Sequence, residues 1–210
     1  MSSEVRRGRH GSRLAAAATG AVMILISAAL GACGMGDATP TPEYTAVSLV
    51  ATPWPSGTTG QYGLHVDPSL LAKLPQFVDA EPIVEDAASE GVALNDANLP
   101  KTLDGYAAAS VGQMGEANWL EIAVGHFRPD VQSPDTYTAW VSEYATGACS
   151  QASGVATTSQ VQIGDWDPVD QATCVGGPTV YTLSLGNGVV LSMFGDGPLD
   201  YGRLLIQALY

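Results

Sequence analysis

Apolar positions in the second half of the chain follow two rhythms. In Trp119–Phe127 (WLEIAVGHF), Leu120, Ile122 and Val124 fall on every second residue, the period of a strand with one buried face. After Ser133-Pro134 the rhythm changes. Tyr137, Trp140, Val141 and Tyr144 recur at i, i+3, i+4 and i+7, so a half-buried helix is expected there, closing at Gly147. Asp67-Pro68 reads as a cap followed by a first-turn proline, with Leu70, Leu71 and Leu74 at helical spacing before Pro75 stops the run. Two more short helices are expected over residues 82–90 and 100–110, the second from the shared face of Leu99, Leu103 and Tyr106. Strands are expected over 160–163, 172–175, 179–185 and 189–194. The last two flank Gly186-Asn187-Gly188, a hairpin turn because Asn and Gly tolerate positive φ. A helix over 200–209, packing Leu204, Leu205 and Ala208, closes the chain.

The element order is therefore helices, strand, helix, four strands, helix. Strands in a run with tight turns make a mostly antiparallel sheet, and amphipathic helices need an apolar surface to cover. Residues 61–210 are thus expected to form a single α+β domain, a mostly antiparallel sheet covered by amphipathic helices. Composition agrees: 210 residues, 46% hydrophobic and 14% charged, suit one globular body with appendages. The aromatic stripe from Tyr137 to Tyr144 reads as core rather than as a cofactor box, since any half-buried helix needs that spacing.

Residues 1–60 are built differently. Arg6, Arg7, Arg9 and Arg13 precede residues 14–31, which carry no charge over 18 positions. That layout is an export signal, although 18 residues would also suffice for a membrane-spanning anchor. The run ends on Leu30-Gly31-Ala32-Cys33, which resembles the bacterial lipobox. The resemblance implies that Cys33 is lipidated on its thiol, that residues 1–32 are removed, and that Cys33 becomes the new N-terminus. Lipidated or uncleaved, the chain beyond is expected outside the cytoplasmic membrane, because the basic end stays inside. Arg6-Arg7 is followed by Gly8, Arg9 and His10 rather than by apolar residues, so general secretion is expected over the twin-arginine route. Residues 33–60, rich in Thr, Pro, Gly and Ser, read as a tether, within which residues 47–50 could add an edge strand to the body.

With Cys33 assigned to the anchor, Cys149 and Cys174 remain, and an even remainder outside the cell suggests a disulfide. Two free thiols or a metal site are the alternatives, the latter without a CxxC or a nearby His. Beyond Cys33, four basic residues stand against twenty acidic ones, leaving −16. Such a body repels phosphate backbones, which excludes nucleic acid as a partner.

Searches for catalytic motifs give little. GxSxG, HExxH and the P-loop are all missing from the sequence. Ser69 and Lys73 stand four apart, one more than the SxxK pattern, and read as helix surface. His126 shares a strand face with apolar residues and reads as a satisfied, half-buried histidine. His65 makes no stronger case. Asp165, Asp167 and Asp170, with Asp196 and Asp200 if the fold gathers them, could contribute oxygens to calcium, but a short acidic loop supplies too few ligands alone. No catalytic residue, metal ligand or cofactor is assigned. The expectation is a lipid-anchored envelope protein whose domain binds a small-molecule ligand or an envelope protein partner. A hydrolase built from paired carboxylates is the alternative.

Overall fold

The computed structural model describes residue 55 and residues 57–166 and 168–209. The expected export signal, Cys33, most of the expected tether and Asp167 lie outside the described residues. The body opens with β1 (His65–Val66), a 3-10 helix (Pro68–Lys73) and three two-residue strands, β2 (Phe77–Val78), β3 (Glu81–Pro82) and β4 (Val84–Glu85). Helices α1 (Ala87–Leu94) and α2 (Leu99–Thr102) lead into β5 (Leu103–Val111) and β6 (Trp119–Phe127). Then come α3 (Pro134–Ala148), a 3-10 turn (Cys149–Ala152), β7 (Val155–Val161), β8 (Val169–Cys174), β9 (Thr179–Gly186), β10 (Val189–Asp196) and α4 (Tyr201–Ala208).

One eight-stranded sheet organises these elements, in the order β1-β5-β6-β10-β9-β8-β7, with β4 also on β5. Every pairing in it is antiparallel except β1 with β5. Strands β7 to β10 form a meander whose last member returns beside β6, and α3 carries the chain from β6 to the far edge at β7. The β9–β10 turn is as expected: Asn187 and Gly188 both have positive φ, 51° and 78°.

Both sheet faces are packed. On one, Leu120, Ile122, Leu191 and Met193 meet Leu205 and Ile206 of α4, with Leu70 and Leu74 of the first 3-10 helix beside them. Helix α4 approaches so closely that a Cβ on Gly202 would lie 2.6 Å from the Tyr181 ring, which requires glycine there. The other face holds two smaller clusters, one of Leu64, Leu103, Phe127, Val190 and Trp140, the other around Cys149, Cys174, Ala172 and Val180. Cys149 and Cys174 stand at disulfide-bonding distance, with Cα atoms 5.1 Å apart, and link the end of α3 to β8.

Three expected elements differ. Residues 100–110 are helical only through Thr102, and Leu103–Val111 is an interior strand. Its alanine-rich sequence is a good helix former, but β6 pairs along one edge and β1 and β4 share the other, burying Ala107, Ala109 and Val111. Propensities of a few tenths of a kcal/mol per residue yield to such pairing and burial. Residues 82–85 are extended, and the helix starts only after Asp86, whose carboxylate accepts from the amides of Ala88 and Ser89. Strand β7 begins at Val155, earlier than its polar Ala-Thr-Thr-Ser run indicates, because it is an edge strand with no buried face. In α4, Ile206 takes the buried place expected for Ala208, which is exposed.

Candidate functional site

Helix α3 is held to the sheet by one aromatic anchor. Ser133 caps its start, accepting from the Thr136 amide, and Pro134 follows as a first-turn proline. Trp140 then points into the sheet, where its Nε1–H donates to Ser192 Oγ at 2.9 Å. Phe127 meets the Trp140 ring edge-on, and Tyr144 stacks on it.

A single helix is about 10 Å wide and covers roughly two strands spaced near 4.8 Å. Seated over β10 and its neighbours, α3 leaves the edge strand β7 and the Asp170 end of β8 open beside it. Two adjoining hollows of about 710 Å³ and about 540 Å³ result, both bordered by Thr138, Val141, Gln160 and Asp170. Each is of the size that holds a small ligand. The larger extends past Tyr137 to the β9–β10 turn at Asn187 and Gly188. The smaller runs along Ala145, Ala172 and Val180.

Asp170 stands where the hollows meet. Its Oδ2 accepts from the Tyr137 hydroxyl at 2.9 Å and its Oδ1 from Gln160 Nε2 at 3.0 Å. Burial, and then the bond to the Asp170 carboxylate, push the Tyr137 phenol well above its ordinary pKa, so it remains a donor at neutral pH. This carboxylate is the only charged side chain among the described residues that border the two hollows.

A second group of acids lies on the same sheet face but beneath α1. The Glu90 side chain is fully buried; its Oε1 accepts the Ala108 amide at 3.2 Å while its Oε2 has no hydrogen-bond partner. Burial chiefly, together with the nearby Glu85 and Asp86, pushes its carboxyl up to about 7, against the opposing pull of the Ala108 bond. Burial and then Asp86 raise Glu121 as well. Neither residue borders the groove.

The residues singled out by sequence fall in different places. Asp170 is in the groove, turned toward Tyr137 and away from any ion-binding loop. Asp200 caps α4 and accepts from the Tyr181 hydroxyl at 2.8 Å, and Asp196 lies at the end of β10. Among the described residues, no three His, Cys, Asp or Glu side chains are arranged to hold a metal. Ser69 donates to Asp67 Oδ1 at 2.6 Å and belongs to the helix cap. His126 Nδ1 sits 2.6 Å from Asp104 Oδ1, both side chains about one-third exposed at 35% and 38%. Asp104 reaches it because the β5–β6 register slips by one residue between Leu103 and Gly105. His65 pairs across Gly105 on the opposite side from His126, without a hydrogen-bonded hydroxyl or thiol at either ring among the described residues.

Sequence reasoning missed Gln160 and the Tyr137–Asp170 bond. The one available signal was that a tyrosine in a core stripe needs a partner for its hydroxyl. The chain matches no protein family, no curated protein and no solved structure.

Proposed function

We propose that this is a lipid-anchored protein of the outer face of the bacterial cytoplasmic membrane, whose domain binds a ligand in the groove beside α3 and does not transform it. The observation that carries the binding reading is the groove itself, a preformed hollow with one carboxylate fixed at its centre by two neutral donors. The anchor reading rests on the basic start, the uncharged run and Leu30-Gly31-Ala32-Cys33. The paired Cys149 and Cys174 suit an oxidising compartment. Hydrolysis by carboxylates needs two acids flanking one bond, and the groove offers one.

Two measurements test this. Metabolic labelling with a fatty acid should mark the wild-type chain and not Cys33→Ser; label persisting in the variant overturns the anchor. For the groove, amide resonances of the detergent-solubilised chain should shift at Thr138, Ala145 and Ala172 with a panel of small alcohols, amines and saccharides. Shifts confined to other surfaces would overturn binding at this place.

A further inference from the structure

The chemistry of the ligand can be narrowed from the state of Asp170. A carboxylate accepts about four hydrogen bonds, and Asp170 receives two, one on each oxygen. Both donors are neutral. They fix the direction of the group but leave its charge uncompensated, and Asp170 forms no ion pair among the described residues. A half-buried anion in this condition is favourably matched by an incoming cation.

The described residues do not supply that cation. Beyond Cys33 the chain's basic residues are Lys73, Lys101, Arg128 and Arg203, and none of them borders the groove. Arg128 is already engaged by Asp130 at 3.0 Å, Lys101 by Asn98 at 2.9 Å, and Arg203 sits on α4, which packs on the opposite sheet face. The acidic body as a whole draws positive ions toward it. A bare metal ion is a poor occupant, because hard cations want six or more oxygens and a single carboxylate stands here.

The walls beside Asp170 add the second requirement. Val141 and Val155, both half-buried, line the hollow in front of the buried Ala145, Ala172 and Val180, an apolar wall that begins within the same groove as the charge. An occupant that satisfies both has a charged end with N–H donors and a short hydrocarbon stem. We infer that the groove binds an organic ammonium ion, its N–H groups donating to Asp170 and its stem lying along α3 on Val141 and Val155. The inference rests on the ligand-binding reading above and specifies its chemistry.

The test compares n-butylammonium chloride with n-butanol, nearly equal in shape and different in charge, on the isotopically labelled full chain in detergent. Butylammonium should shift the Gln160, Asp170 and Ala145 amides saturably, with an affinity about tenfold or more above that of butanol, as a charge-assisted hydrogen bond implies. Raising sodium chloride should weaken only the ammonium. In Asp170→Asn, which keeps the shape and an acceptor for Tyr137, the two compounds should bind alike. Equal binding to the wild-type chain, or an ammonium preference that survives Asp170→Asn, overturns the ammonium assignment and leaves the groove as a site for neutral ligands. If neither compound moves a groove resonance at tens of millimolar, the groove reading falls with it. Should Asp170→Asn fail to fold, the wild-type comparison and its salt dependence decide alone.

Discussion

The two faces of the sheet solve the same covering problem in opposite ways. Under α4 the contacts are almost wholly apolar: Leu191, Met193, Leu205 and Ile206 are buried there. Under α3 and α1 two smaller apolar clusters are interleaved with hydrogen-bonded and acidic groups. Trp140 binds Ser192, Tyr137 binds Asp170, and Glu90 is buried with one oxygen unpaired. Apolar packing is non-directional, whereas a face fixed in part by a few directional bonds holds its helix over some strands and leaves the edge strand open. Stability is thus concentrated on the α4 side and the proposed binding chemistry on the α3 side.

The strongest challenge to this division is Leu205→Ala. It should lower stability by about 3 to 5 kcal/mol, because a fully buried leucine is replaced by a cavity. Chemical denaturation would measure it, and a loss below about 1 kcal/mol would show that the α4 face is not the main core. Next is the paired change Cys149→Ala with Cys174→Ala, expected to cost about 3 to 4 kcal/mol for a link across 25 residues. Hydrogen exchange should rise first in α3, β7 and β8; uniform acceleration including α4 would erase the contrast between the faces.

A smaller effect, about 1 to 2 kcal/mol, is expected for Trp140→Phe, which keeps an aromatic ring but removes the donor to the buried Ser192 hydroxyl. Thermal unfolding reads it, and an unchanged midpoint would mean that the bond does not hold α3 in place. The last is Glu90→Gln, whose effect is smallest near pH 5 and grows with pH. Folding raises the Glu90 carboxyl from an ordinary 4.5 to about 7, so its stabilising contribution is complete below about 4.5 and is lost as pH rises through about 7. The variant should nearly match wild type near pH 5 and exceed it by about 2 kcal/mol at pH 8. A gain of equal size at both values would point to packing instead of ionisation.

How legible the fold was depended on whether an element's partners are local. Trp119–Phe127 could be read because alternation survives in a strand between two neighbours, and α3 because its cap, stripe and stop all lie within fifteen residues. Leu103–Val111 could not. Its alanines and glycine carry no strand preference, and only the strands at both edges hold it extended. The thiol pair was accessible by elimination, but the placement of its ends against α3 and β8 was not. Asp170 attracted notice as one of three acids in a short loop, whereas its partners come from a helix 33 residues earlier and a strand 10 residues earlier.

By itself the sequence determined the kinds of surface this protein possesses: an acidic body short of cations, apolar faces with the periods of helix and strand, a turn that requires positive φ, and two cysteines left to pair. These follow from local chemistry, since charge count, side-chain period and backbone preference belong to residues and their near neighbours. Only the tertiary structure decided which of those residues meet. It set β6 beside β10, buried Glu90 under α1, and left the edge strand β7 uncovered next to α3. The groove exists because a helix about two strands wide lies on a broader sheet, a mismatch of dimensions that no single stretch of sequence contains.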